Sequence, residues 1–109
     1  MAEPTLQEIF GASATQTSTT LTILKSDLTR LTPSATNTAE SLLTGILLKA
    51  EATLPQSSFD TNINQSIYVS PGFSSFASRG TDNTSYRVDQ LTINLAKLDT
   101  GSVIDPDDY

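Results

Sequence analysis

The sequence predicts an α+β fold: one main amphipathic helix packed on a small antiparallel sheet with a long kinked β-hairpin, plus an extended N-terminal arm and an acidic C-terminal strap. Three observations predict it. A helix signature spans residues 37–54, apolar residues alternate with period two across residues 67–95, and that alternation slips at two places that face each other when the hairpin closes. A chain of 109 residues makes one modest core, burying roughly 60 to 70% of its extended-chain surface. The expected division is a short helix and arm over residues 1–18, a single domain over 19–98 and a tail over 99–109.

The first element is a helical turn or two over residues 4–10, with Pro4 in its first turn, Leu6, Ile9 and Phe10 on one side and Gly11 as a left-handed stop. Helices shorter than about 12 residues are marginal in water, so Leu6, Ile9 and Phe10 must dock on something, and a neighbouring subunit is one candidate. Residues 12–18 carry no apolar periodicity and read as an arm or loop. From Thr19 the chain alternates, with Leu21 and Ile23 on one side and Thr20, Thr22 and Leu24 on the other, which predicts a strand ending by about Leu28 or Leu31, before Thr32-Pro33-Ser34.

The clearest helix runs from about Thr38 to Leu54, opened by Asn37 as N-cap with Glu40 three residues on, and closed before Pro55. Ala39, Leu42, Leu43, Ile46, Leu47, Ala50 and Leu54 share an arc of roughly 140°, the expected core face. Ser41, Gly45, Leu48 and Ala52 form a narrow stripe on the other side, where small side chains would admit a second backbone. Leu48 is then either a partner contact or a single exposed leucine of the ordinary kind.

After a polar turn over residues 55–62, Ile67 and Val69 alternate against Ser66, Tyr68 and Ser70, until Pro71-Gly72 interrupts the strand. Phe73 and Phe76 lie on opposite parities beyond it. On the second arm Tyr86 and Val88 are even whereas Leu91, Ile93 and Leu95 are odd, so that switch falls near Asp89-Gln90. Residues 79–84 hold the Gly, Asp and Asn of a hairpin loop, and a symmetric closure brings the two switches together as a bulge or corner. The outer half, Phe73 to Val88, would project beyond the half backed by the helix. Its Phe73, Phe76, Tyr86 and Val88 then need cover from a neighbouring loop of the same chain or from a partner molecule.

Composition narrows the chemistry. Neither His nor Cys occurs, while Ser and Thr exceed a quarter of the residues. Ser-His-Asp and Cys-His nucleophiles are therefore unavailable, and so are the usual zinc ligands. A net charge of −6 disfavours nucleic acid and anionic lipid as partners. No glycine-rich phosphate motif is present, and the absence of Trp leaves a poor platform for a sugar cleft, so neither a cofactor nor a small-molecule substrate is expected. No basic and apolar leader opens the sequence, and no stretch approaches the ~20 apolar residues of a membrane span. Asp105, Asp107 and Asp108 lack the spacing of a calcium loop, and serve better as a solvated tail or a strap pairing with arginines on a neighbour. Arg79 and Arg87 flank the hairpin loop, where they either contact an acidic surface or keep a ribbon edge soluble.

Taken as a whole, the arm at Gly11 to Ser18, the hairpin at Ile67 to Leu95 and the strap at Gly101 to Tyr109 resemble the layout of small accessory structural proteins of tailed-phage virions. The resemblance implies a non-enzymatic assembly protein of the virion, a capsid decoration or cement subunit or a neck, tail or baseplate component, put together in the host cytoplasm. It implies other copies and other virion proteins as partners. Leu6, Ile9, Phe10, Leu48, Phe73, Phe76 and Tyr86 would be covered by neighbours, with Arg79, Arg87, Asp105, Asp107 and Asp108 at the polar margin. The alternative is a soluble cellular binding or regulatory module that pairs a peptide along an exposed strand edge. A small enzyme relying on carboxylates is a remote third.

Overall fold

The computed structural model describes residues 2–99 and 101–109. Met1 and Thr100, which belong to the expected leading segment and tail, lie outside them. The fold is α+β, with one main helix and three small two-stranded antiparallel sheets.

Helix α1 (Leu6–Phe10) is capped by Thr5, whose Oγ1 accepts the Glu8 amide at 3.1 Å, so Pro4 precedes the cap instead of occupying the first turn. Gly11 ends α1 at φ +121°, a positive angle but outside the left-handed helical well that was expected. The segment after it is no free arm. Ala14 is buried, its carbonyl accepts from Gln7 Nε2 at 3.0 Å, and the Ser13 amide donates to Asp27.

The strand expected from Thr19 shrinks to β2 (Leu21–Thr22), paired with β1 (Thr15–Gln16) across a turn closed by Thr17 and Thr20. The cause is the shortage of a partner: β1 offers two residues, so the alternation of Leu21, Ile23 and Leu24 has no ladder to join. The backbone instead tightens into a 3-10 turn at Lys25–Asp27.

The main helix, α2 (Ala39–Thr53), begins one residue later than its sequence signature suggested. Thr38 is the N-cap and accepts the Ser41 amide at 3.1 Å. Asn37 closes the preceding turn instead, accepting from the Ser34 amide and donating to the Thr32 carbonyl. The inward side of α2 also differs from the expected arc. Gly45 is its buried residue, whereas Leu43 is 55% exposed. The small-residue stripe admits Leu28 of the same chain: a Cβ at Gly45 would lie 3.1 Å from the Leu28 Cβ, and Leu28 is itself buried. α1 also packs on α2, and Leu48 is half-buried within its own chain.

A short helix α3 (Gln56–Thr61) follows Pro55 and leads into β3 (Ile67–Pro71). Gln65 holds this corner together. Its buried amide donates to the Pro55 and Ile67 carbonyls and accepts from Ser58 Oγ at 2.7 Å, leaving no polar atom of the side chain without a partner. The Val69 amide donates to the Leu54 carbonyl at 2.9 Å, and the Phe59 ring packs on Tyr68 with centroids 4.8 Å apart. Leu54 and Val69 are buried at this junction, and with Ala14 and Leu28 they form the apolar core of the described residues. No large side chain among those residues is completely enclosed, and no helix among them is long and apolar enough to cross a membrane.

β3 pairs with β6 (Leu91–Leu95), and β4 (Ser75–Arg79) pairs with β5 (Thr84–Val88). These two ladders are the inner and outer halves of one hairpin. Its loop, residues 80–83, has Gly80 and Asn83 at positive φ.

Candidate functional site

The kink between the two halves has a simple origin. From Pro71 opposite Leu91 to Ser75 opposite Val88, the first arm spends three residues, 72–74, where the second spends two, 89 and 90. One extra residue is a bulge, and it shifts the register of everything beyond it. The amides that leave the ladder are taken up by Gln90: its carbonyl accepts from Gly72 at 2.8 Å and its Oε1 from Phe73 at 3.2 Å. Glycine is required at 72, where a Cβ would lie 2.7 Å from the Gln90 Cβ. Asp89 completes the corner by accepting from Ser74 Oγ at 2.7 Å and from Arg87 Nε at 2.9 Å. The hydrogen bond from Ser74, followed by that from Arg87, lowers the Asp89 pKa below the usual aspartate value.

Beyond the kink the ribbon stands apart from the core. Every residue of β5 is exposed, and the sheet it forms with β4 has no third strand. Phe73 is 86% exposed and Phe76 74%, with Tyr86 and Val88 also open. Directly opposite residues of an antiparallel pair share a face. The register therefore places Phe76 with Arg87, and puts Ala77, Tyr86, Val88 and Ser75 on the reverse side. The Arg79 guanidinium lies over the Tyr86 ring at 5.0 Å, a cation–π contact that holds it on that reverse side. The ribbon thus carries one phenylalanine and one arginine on one face, and an aromatic–aliphatic patch topped by the other arginine on the reverse.

The remaining residues expected at interfaces do not join this ribbon. Leu6, Ile9 and Phe10 are half-buried on α1, where α2 of the same chain supplies part of their cover. At the tail, Asp108 pairs with Lys97 of its own chain at 3.1 Å, and Lys97 Nζ also donates to the Val103 carbonyl. Asp105 caps the short 3-10 turn at Pro106–Asp108 by accepting the Asp107 amide, while Asp107 is exposed. The strap thus folds back on Lys97. Among the described residues no three carboxylates gather as a metal site would require.

Comparison with protein-family models, with curated proteins and with solved structures finds no match.

A second open surface lies at the opposite end of the hairpin from its loop, and nothing in the alternation of the sequence pointed to it. Ile63 is 96% exposed on the wall of a groove of about 770 Å³ that Phe59, Asp60, Ala96, Lys97, Leu98 and Asp108 help to line. An adjoining depression runs from Ala96 to Leu98 toward Val103 and Ile104, both exposed. These aliphatic residues sit in irregular segments, where no period marks an apolar face. Asp60 and Asp108 line the main groove with Lys97 their only cation, and Asp99 lies beyond in the adjoining depression.

Proposed function

We propose that this chain is a non-enzymatic structural subunit of a tailed-phage virion, acting through burial between subunits. The observation that carries the reading is the outer ribbon: a two-stranded sheet with its aromatic side chains in solvent and no third layer. A lone hairpin is marginal in water, and monomers rarely keep such a surface open. Each phenylalanine covered by a neighbour contributes roughly 1.5–3 kcal/mol, so Phe73 and Phe76 together supply a sizeable share of a stable contact. Of the arm, hairpin and strap on which the resemblance to virion proteins rests, the projecting hairpin is the part that supports this placement, since the arm and strap fold back on their own chain. Which part of the particle it joins follows from which neighbour covers the ribbon.

The test is direct. Particles are purified from the phage whose genome encodes the chain, and their protein is quantified by mass spectrometry. The chain is expected at a copy number in a fixed ratio to a known component, and its absence from intact particles overturns the proposal.

A second reading draws on the same ribbon. Its outer edges present unpaired main-chain groups, the feature that strand-adding peptide-binding modules use. That reading predicts a compact monomer in solution that binds an extended peptide along β4 or β5, with chemical-shift changes confined to one edge.

A further inference from the structure

The inner half of the hairpin ends on an open edge. In its ladder the Ala96 amide donates to the Ser66 carbonyl at 2.7 Å and the Gly72 amide to the Gln90 carbonyl at 2.8 Å, so the even-numbered residues of β6 bond inward to β3. The amides and carbonyls of Leu91, Ile93 and Leu95 therefore point outward. Among the described residues no third strand lies beyond β6, and no hydrogen bond reaches these groups. The strap borders the edge at Leu95 without bonding to it.

The other strands of the hairpin are guarded. On the outward side of β3 the Val69 amide is taken by the Leu54 carbonyl, and Pro71 has no amide to offer. β4 and β5 carry Arg79 and Arg87. β6 reads Leu-Thr-Ile-Asn-Leu, with no charge, proline or bulge to discourage pairing. Its Ile93 and Leu95 are exposed on the same face on which β3 buries Val69.

We propose that β6 pairs antiparallel with β6 of a second copy, about a two-fold axis at Ile93. The strand is its own complement. Read in either direction from Ile93 it runs apolar, polar, apolar, and the residues with outward main-chain groups meet as Ile93 with Ile93 and Leu91 with Leu95, each pair exchanging two N–H···O bonds. The charges flanking the strand fix the register. Centred on Ile93, the pairing brings Asp89 beside Lys97 of the second copy, whereas a slip of two residues either way sets one of those charges against Ile93. Asp89 is already paired with Arg87, and Lys97 with Asp108, so two internally neutral pairs approach without net repulsion. Each keeps a free valence: Asp89 uses Oδ1 for both of its bonds, and Lys97 spends two of its three donors on Val103 and Asp108. The product is a four-stranded sheet whose Leu91, Ile93 and Leu95 side chains form one continuous apolar face. Because both copies use the same patch, the contact closes at two subunits. It goes beyond the assembly reading, which places burial at the outer ribbon.

Sedimentation of the full chain over a range of concentrations is expected to show a monomer passing into a dimer. In a dimer made from isotopically labelled and unlabelled chains, the Hα of Thr92 should give an intermolecular Overhauser contact to the Hα of Asn94, since these meet in the close, non-hydrogen-bonded pair. Ile93→Lys, which sets two ammonium groups together at the axis, should weaken dimerisation about tenfold or more with helix content unchanged. A monomer at every concentration up to the millimolar range overturns the inference, as does a dimer that lacks the Thr92–Asn94 contact or ignores Ile93→Lys. Protection of the Leu91, Ile93 and Leu95 amides only when an extended peptide is added also overturns it, and gives the edge to a different partner. The assembly reading is judged separately by the composition of particles: a chain absent from virions but dimeric through β6 loses that reading and keeps this one.

Discussion

The inner and outer halves of the hairpin are built from the same kind of sequence and meet opposite fates. Both are five-residue ladders of alternating residues, separated by a single bulge. In the inner half Val69 is 4% exposed, its amide bonds to the end of α2, and Tyr68 packs on Phe59. The outer half has none of this. Alternation specifies that a segment is pleated and which residues share a face, but cover depends on what the rest of the chain can bring alongside. With 109 residues and one main helix, the cover ends at Gly72 on the first arm and is already partial on the second, where Ile93 and Leu95 are exposed.

The comparison is broken most severely by removing core from the inner half. Leu54→Ala should cost about 2–5 kcal/mol, read as a loss of denaturation midpoint with an unchanged slope, because it opens a cavity where α2 meets β3. Phe76→Ser in the outer half should change the stability of the monomer by less than about 0.5 kcal/mol, and a cost comparable to that of Leu54→Ala would place Phe76 in the core after all. Gln65→Ala ranks next, at about 1–3 kcal/mol, since it takes the amide donor from the Ile67 carbonyl at a buried corner, while the Ser58 hydroxyl keeps the Pro55 carbonyl as its acceptor. Gly72→Ala is expected to cost about 1–3 kcal/mol through its clash with Gln90, and nuclear Overhauser contacts across residues 72–74 and 89–90 would report the kink rearranging.

The smallest effect concerns acidity. The folded-state pKa of Asp89 is lowered, so its hydrogen bonds to Ser74 and Arg87 favour the folded corner above the unfolded aspartate pKa and lose that contribution as pH falls through the folded value. The stability difference between the native chain and Asp89→Asn should therefore shrink on acidification across that interval. Carbon-13 titration of the Asp89 carboxyl is expected to give an inflection below that of an unperturbed aspartate. An ordinary midpoint there would show that the corner is open in solution.

Much of the hairpin was legible because parity is a long-range ruler: Tyr86 and Val88 at even positions against Leu91, Ile93 and Leu95 at odd ones, facing the break at Pro71-Gly72, place the bulge before any contact is known. The body of α2 was equally plain from its spacing. Its inward side was read in part: Leu54 of the expected arc is buried and Leu42, Ile46, Leu47 and Ala50 are half-buried, but Leu43 is open, and the close packing of Leu28 on Gly45 depends on a tertiary approach that no local pattern encodes. The same limit explains the strand that stopped at Thr22 for want of a partner, and Thr38 taking the cap while Asn37 served the preceding turn. At the site, the ribbon residues Phe73, Phe76, Arg79, Tyr86 and Arg87 were visible as unsheltered pleat. Ile63, Val103 and Ile104 were not, because irregular backbone carries no periodicity.

Gln90 turns the outer ribbon into a lever. Five residues of strand extend about 17 Å past the pivot, so a rotation of about 20° there would carry the tip roughly 6 Å sideways. The amide side chain, through its grip on the Phe73 N–H, joins the Asp89 contacts in setting where the far end of the molecule points. Gln90→Leu would release that grip, letting the tip sweep a wider cone while every residue of the two ribbon strands stays as it is.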